Sequence, residues 1–310
     1  MEGALIMMLA VALDGLLGEP PSRLHPVVWI GRVVGVLERG APSRGVGGQL
    51  AYGCAMVVLS VGATFALVWC ALRYAGMGGT VAYVCAGALL LKPALSLKAL
   101  RQAALDVEDA LDRGKLECAR IRLRSLVSRD TSKLDQAGVV SATLESVAEN
   151  VSDSFVAPLF YFLFLGVPGA ATYRTVNTLD AIVGYHGRYE YLGKCAARLD
   201  DILNFLPARI SGVLLVAGAY FSRLRGRGAW RTMLRDHNTT ESPNAGWPMS
   251  AMAGALGVRL EKAGFYRLGA EEIDPVPRRI RTGVRLALRS SVLWLLICLA
   301  VEVTWSGLSP

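Results

Sequence analysis

The chain has few cysteines, and none is paired in sequence. Cys54, Cys70, Cys85, Cys118, Cys195 and Cys298 stand singly, most of them inside apolar runs. That excludes a disulfide framework and any Cys-x-x-Cys metal or redox motif, and leaves the thiols as small core residues. No Cys/His pair stands at metal-ligand spacing. The glycine-rich stretches GVGGQL and AGMGGT lack the Lys-Ser/Thr of a P-loop, and no GxGxxG follows a strand pattern. GxSxG and HExxH are also missing. If a nucleotide binds, acids and arginines must hold it without a Walker-type cradle. No basic run is interleaved with aromatics, and no recognition-helix or zinc-finger pattern occurs, so nucleic acid is not an expected partner. Glu2 stands where a signal peptide needs positive charge, and no small-x-small site follows. The apolar stretch Gly3–Leu13 is therefore expected to be retained. Internal repeats and low-complexity segments are lacking too.

What is abundant is apolar surface. Of 310 residues, 53% are hydrophobic, and the mean hydropathy is +0.40. A soluble domain sits nearer roughly 45–50% apolar, so composition points to a membrane. The charged fraction of 19% then requires segments outside the lipid or lining a cavity. The net charge of +8 is an arginine excess. It fits the positive-inside bias of cytoplasmic loops, with some arginines holding anionic substrates.

A span takes roughly 20 mostly apolar residues. Leu50–Leu72, Gly79–Leu97 and Leu286–Trp305 meet this most clearly. Phe155–Thr172 is nearly as strong, Pro207–Leu224 is shorter and flanked by arginines, and Gly3–Leu17 is marginal because it contains Asp14. The expected fold is all-α: a polytopic integral membrane protein with about five to six membrane helices, in one domain over residues 1–310. Residues 98–135 continue helical spacing from Leu97 through Leu100, Ala104, Val107 and Leu111, which predicts amphipathic cytoplasmic helices. Residues 225–285 are the most basic and are placed on the same side. A parity problem follows. If 155–172 and 207–224 both cross, residues 173–206 lie opposite 129–153 and 225–285, although all three regions carry candidate site residues. Either one segment does not cross, or the site is recessed between helices.

Three constellations carry chemistry. In ESVAENVSDS, Glu145, Glu149 and Asp153 recur at i,i+4, which on a helix stacks three carboxylates on one face. Their repulsion calls for a counter-charge. Arg129 and Lys133 can supply it, or a Mg²⁺ shared with a phosphate can. The segment runs straight into an apolar span, where acids usually have a function. The second stretch is YRTVNTLDAIVGYHGRYEYLGKCAARLDDILNFLPAR. It pairs Asn177 with Asp180, and Asp200 and Asp201 with Asn204, among Arg174, Arg188, Lys194, Arg198 and Arg209. Acids for a metal alternating with guanidinium donors suit a metal–nucleotide site; salt bridges tying helices together are the structural alternative. The third stretch, RDHNTTESPNAGWPMSAMAGALGVRL, has a turn at Ser242–Gly246, and Gly254 and Gly257 permit close helix approach. Arg235, His237 and Asn244 are its candidate contacts. His25 in GEPPSRLHPVVWIG sits in a loop shaped by proline and glycine.

Together with LDGLLGEPPSRLHPVVWIGR near the start and SRDTSKLDQAGVVSATLESVAENVSDSFVAPLFY, these stretches resemble the CobD/CbiB family of cobalamin biosynthesis, the adenosylcobinamide-phosphate synthases. They occur in family order and cover nearly the whole chain. The resemblance implies a multi-pass enzyme of the inner cell membrane, its site facing the cytoplasm. Such an enzyme joins adenosylcobyric acid, a corrinoid, to (R)-1-aminopropan-2-ol O-phosphate or a related aminoalcohol phosphate. ATP and Mg²⁺ are the implied cofactors; membrane lipid and other late cobalamin-assembly enzymes are the implied surroundings. Glu145, Glu149, Asp153, Asp200 and Asp201 then fall to Mg²⁺-ATP, with Glu145 and Glu149 also catalytic, and Arg129, Arg174, Arg198 and Arg235 to phosphates. Asp180 is the candidate acceptor of the amine proton, and Tyr185, His186, Asn244 and Trp247 lie near the corrin. Asn177, Asn204, Arg209 and Ser242 complete the substrate-binding set. Two departures stand out: Met249 replaces an acid usual after Trp-Pro, and a glycine-rich stretch after GVRL reads EKAGFY. The rival classes are an intramembrane phospho- or prenyl-group transferase, which predicts DxxxD motifs that fit Asp200/Asp201 poorly, and a transporter with charges lining a path.

Overall fold

The computed structural model describes residues 1–21, 23, 25–42, 45–184, 190–269 and 273–308. In chain order the helices are α1 (Glu2–Leu17), α2 (Pro26–Arg39), α3 (Val46–Met77), α4 (Thr80–Leu91), α5 (Leu97–Asp112), α6 (Leu116–Leu123) and α7 (Gln136–Val151). They continue with α8 (Ala157–Val183), α9 (Lys194–Leu203), α10 (Phe205–Phe221), α11 (Gly226–Asp236) and α12 (Gly246–Leu256). A hairpin of β1 (Leu260–Lys262) and β2 (Tyr266–Leu268) follows, and α13 (Arg278–Leu308) ends the chain. The hairpin, with Glu261 opposite Arg267, is the one departure from all-α among the described residues.

Among the described residues, four helical segments are long and apolar enough to cross a membrane: Val46–Met77, Thr80–Asp112, Gln136–Val183 and Arg278–Trp305. The count is five if α9 and α10 form one bent span. α1, at 16 residues, is shorter than these. Only 22% of the α3 span is buried, and Val58, Leu59, Phe65, Leu67 and Trp69 stand exposed along it. A patch of that size is costly in water but costs nothing against lipid tails, where the helix has already satisfied its own backbone. The 155–172 stretch is not one straight helix. Gly166 takes φ 62°, ψ −158° inside α8, two residues before Pro168. Proline lacks the N–H that would continue the ladder, and glycine alone tolerates the reversal. The chain also breaks between α9 and α10, at Asn204. Of the two segments on which the parity of the chain turns, 155–172 is an interrupted helix, whereas 207–224 begins within the continuous α10 that follows the break at Asn204.

The chain forms two compact units, one of Met1–Ser96, Ala157–Asn204 and Cys298–Pro310, the other of Leu97–Val156 and Phe205–Ile297. In the first unit α3 packs on α8, α4 and α9, and α1 on α4. Val34, Met56, Val57, Leu179, Val183 and Ala196 form a core cluster there. In the second, α12 packs on α10, α11 and α7, and α5 on α6 and α7. The amphipathic spacing in α5 is borne out: Leu100, Ala104, Val107 and Leu111 are buried. α11 and α12 touch backbone to backbone. A Cβ on Gly254 would lie 2.5 Å from the Gly228 carbonyl oxygen, the close approach that small residues allow between helices with little apolar driving force to bring them together.

Candidate functional site

α7 starts cleanly because the Asp135 carboxylate accepts the Gly138 amide at 2.8 Å, a cap that satisfies an otherwise orphaned donor. Two turns on, Glu145 is 4% exposed. Its Oε1 accepts Ser141 Oγ at 2.7 Å, and its Oε2 accepts Arg129 Nη2 at 2.8 Å and Tyr266 OH at 3.0 Å. Ser141 Oγ in turn accepts the Glu261 amide at 2.8 Å, so β1 is pinned to the same face of α7. A buried ion pair recovers its desolvation only when the remaining lone pairs are also bonded, and here three donors do so. Burial, then Glu145, pushes the Tyr266 phenol well above its ordinary value, so it stays protonated and donates. Arg129 Nε is buried without a hydrogen bond among the described residues.

Glu149 lies one turn further along α7 and lines a cavity of ≈ 180 Å³ with Arg129, Glu145, Lys262 and Tyr266. A second cavity, ≈ 400 Å³, shares Arg129 and adds Lys133, Ser141 and Arg259. The first is smaller than the usual ligand pocket of roughly 300–1,000 Å³, so it suits a phosphate-sized group. Asp153 follows after the α repeat has ended. Ser152–Val156 is a π-helix, whose wider turn ends the α repeat at Val151. Its Val156 carbonyl is taken up by the Trp294 indole at 3.1 Å.

The first unit holds a different arrangement. Asn177 Nδ2 donates to Asp200 Oδ1 at 3.4 Å and its Oδ1 accepts Arg174 Nη1 at 3.1 Å, so α8 and α9 meet through Asn177 and Asp200. Asn204 Nδ2 donates to Asp200 Oδ2 at 2.9 Å, and Tyr173 OH donates to Asn204 Oδ1 at 2.8 Å. Tyr161 stacks on Tyr173 with ring centres 5.3 Å apart and donates its hydroxyl to the Leu203 carbonyl at 2.9 Å. Asp200 and Asn204 thus share a face as their spacing requires, whereas Asn177 bonds Asp200 across helices. The Asp180 carboxylate rests against Gly184, where a Cβ would fall 2.0 Å from its Oδ1. Asp201 reaches Arg198 only at 3.9 Å, with Arg198 largely exposed. Tyr185 and His186 lie outside the described residues.

In the second unit Arg209 is stacked over Phe205 and Trp247, and its Nη1 meets buried Asn244 Oδ1 at 3.5 Å. His237, which caps α11, packs its ring 4.1 Å from that of Trp247. Ser242 Oγ accepts the Asn244 and Ala245 amides at 3.2 and 3.4 Å, so its role here is to hold the turn. Arg235 is held by its neighbour: Nε and Nη2 donate to Asp236 at 2.5 and 2.7 Å. Burial alone would raise the Asp236 carboxyl. The Arg235 hydrogen bonds and the Gly269 amide outweigh it and bring the group below its ordinary value.

Arg129, Glu145, Glu149, Tyr266 and Lys262 come together, as do Arg174, Asn177, Asp200 and Asn204. Tyr266 and Lys262 had no motif signal, since EKAGFY departs from the family pattern; the faint pointer was an aromatic and a cation flanking Gly264 in a turn. Tyr161 and Tyr173 were hidden in an apolar helix. Among the described residues no group of three or more His, Cys, Asp or Glu is placed to hold a metal ion.

A family model described as "CobD/Cbib protein" matches residues 7–288. A cobalamin biosynthesis protein CobD of Dehalococcoides mccartyi is 46% identical over 301 residues, covering 97% of this chain and 98% of its own. A probable cobalamin biosynthesis protein CobD of Methanothermobacter thermautotrophicus is 43% identical over 265 residues, covering 85% and 86%. A cobalamin biosynthesis protein CobD of Chromobacterium violaceum is 40% identical over 316 residues, covering 98% of each. No solved structure matches. With four interrupted motifs in one order and near-complete coverage on both sides, the chain belongs to the CobD/CbiB family of cobalamin biosynthesis proteins.

Proposed function

We propose that the protein is an ATP-dependent amide ligase that joins adenosylcobyric acid to (R)-1-aminopropan-2-ol O-phosphate, or a related aminoalcohol phosphate, giving adenosylcobinamide phosphate. The observation that carries this is the cavity lined by Glu149, Glu145, Arg129, Lys262 and Tyr266, whose two acids belong to the motif that resembles the family's. A carboxylate is a poor electrophile, so amide formation needs prior activation, here by ATP to an acyl phosphate with ADP leaving; the amine then attacks the acyl carbon and inorganic phosphate departs. Magnesium is typically held by one or two carboxylates together with substrate phosphates and water. Glu149 beside Glu145 fits that pattern; an all-protein cage does not fit it. Mg²⁺-ATP, when bound, supplies the activating phosphoryl group.

The chain's own residues do the rest. Arg129 and Lys262 neutralise phosphate charge, and a guanidinium fixed by a carboxylate is already oriented when charge develops. Tyr266 and Ser141 hold Glu145 in one rotamer, so Arg129 does not wander. In the first unit, Asp200 and Asp201 are the proposed second acidic set, Arg174 and Arg198 take phosphate, and Asp180 accepts the amine proton. Arg235 can share a phosphate with Asp236 only by giving up part of its bidentate pair. The site is read as facing the cytoplasm of the inner membrane. The test is reconstitution with adenosylcobyric acid, ATP, Mg²⁺ and each candidate aminoalcohol phosphate. Labelled aminoalcohol phosphate should enter the corrinoid with stoichiometric ADP release; ADP release without incorporation, or no incorporation at all, overturns the proposal.

A further inference from the structure

One face of α13 carries a charge pattern that packing does not explain. Arg278, Arg281, Arg285 and Arg289 recur every three or four residues, and all four are exposed. That spacing puts them in one stripe along the helix. The stripe continues on the same face as Val292 and Leu296, 56% and 58% exposed. The opposite face is the packed one. Ser290 Oγ donates to the Leu214 carbonyl of α10 at 3.0 Å, and the Trp294 indole to the Val156 carbonyl at 3.1 Å. A Cβ on Gly283 would meet Leu144, Met252 and Leu256. The outward stripe thus passes from cationic to apolar between Arg289 and Val292, inside a helix apolar enough to cross a membrane. Such a change marks the level at which lipid tails give way to headgroups.

The arginines cost the helix stability where they stand. Cations are unfavourable near a helix N-terminus, where the macrodipole is positive, and like charges one turn apart repel. Arg281 is relieved by buried Glu108, whose Oε2 accepts its Nε at 3.0 Å. Arg278, Arg285 and Arg289 have no ion pair among the described residues. Arg285 and Arg289 stand about 6 Å apart along the helix axis, close enough for two long guanidinium side chains to share one phosphate.

α11 reaches the same level independently. α10 runs antiparallel to α13, since Leu214 pairs with Ser290 while Gly218, one turn on, lies against Ser290 and Leu286. The end of α10 at Phe221 is therefore level with the arginine half of α13, and α11 follows at Gly226. Its exposed face is Arg227, Trp230, Arg231 and Leu234, again at helical spacing. Arg227 and Arg231 also have no ion pair among the described residues. A tryptophan and a leucine set between arginines suit the headgroup zone, where apolar bodies meet the tails and charged tips stay wet.

We infer that Arg285 and Arg289 bind the phosphate of an anionic phospholipid whose acyl chains run along Val292 and Leu296. The phosphodiester oxygens accept from both guanidiniums, and α11 lies at the surface of the same leaflet. A soluble anion would use the guanidiniums alone; the exposed valine and leucine directly beyond them select a lipid. The inference stands on membrane insertion and is independent of the proposed reaction.

The test uses the full chain in nanodiscs of mixed phosphatidylcholine and phosphatidylglycerol, with native mass spectrometry counting the lipids each chain retains. Phosphatidylglycerol should be enriched over its bulk share, and added salt should reduce the enrichment. Arg285→Gln and Arg289→Gln should each lower that preference about fivefold, and together about thirtyfold. Both side chains are exposed, so melting in uncharged micelles should stay as in the parent chain. Arg101→Gln with Arg124→Gln removes the same charge from exposed positions elsewhere in the unit and should leave the preference intact. Retention in bulk proportion, an undiminished preference in the R285Q/R289Q chain, or an equal loss in the R101Q/R124Q chain overturns the inference. Displacement of the retained lipid by inorganic phosphate at equal concentration assigns the arginines to a soluble anion and overturns it as well.

Discussion

Glu145 in the second unit and Asp200 in the first are both carboxylates gripped from outside their own helix, yet the grips differ in kind. Glu145 accepts a guanidinium, a serine and a phenol, whereas Asp200 accepts the side-chain amides of Asn177 and Asn204. A guanidinium cancels charge and fixes geometry together; amides are dipoles that orient a carboxylate without bringing a charge of their own. The contrast teaches that carboxylates of the same apparent motif quality can serve different ends. Glu145 is built into a rigid pair that presents Arg129, and the neighbouring Glu149 lines the same cavity. Under the proposed function, the acid ladder divides between a positioning member and a ligating member.

The largest effect expected from this contrast is at Arg129. Arg129→Ala strands the buried Glu145 charge and should destabilise the protein by about 3 kcal/mol, read by denaturant titration in detergent micelles. Adding Glu145→Ala should restore part of that loss; a double variant that is additive would break the picture of a coupled pair. Next, Glu149→Ala should lower amide formation by roughly 100-fold or more with membrane insertion and melting unchanged, and normal turnover there would refute its ligating role. Tyr266→Phe removes one hydrogen bond to a charged acceptor and should cost about 1.5 kcal/mol, with turnover falling because Arg129 loses part of its anchor. Tyr173→Phe, on the amide-held side, loses a neutral hydrogen bond to Asn204 and should cost only about 1 kcal/mol. If Tyr173→Phe proved more damaging than Tyr266→Phe, the ranking of the two grips would be reversed.

Spans, amphipathic helix and family were legible because each is a one-dimensional signal. Leu100, Ala104, Val107 and Leu111 announce their buried face by period, and the apolar runs of α3 and α13 announce themselves by length. The Asp200–Asn204 contact was legible for the same reason, being an i,i+4 pair on one helix. The α repeat that carries Glu145 and Glu149 was legible, and the change to a π-helix before Asp153 was not. The π-turn at Ser152–Val156 is decided by packing, including the Trp294 indole that takes the Val156 carbonyl, and no local residue preference marks it. Gly166 and Pro168 did carry a local signal for a broken helix, which the apolar character of the surrounding run masked.

The sequence by itself determined the membrane class, the positions of the apolar helices and the family, since length, period and motif order survive without coordinates. Tertiary structure decided which acid meets which base. Arg129 and Glu145 are 16 residues apart, and Tyr266 is 121 from Glu145; no periodicity encodes such distances. The pairing exists because desolvating Glu145 is costly, and only a fold that brings three donors to it can keep that carboxylate buried. The same cost joins buried Lys92 to Asp14 and Glu19, which the chain brings to it from 78 and 73 residues away.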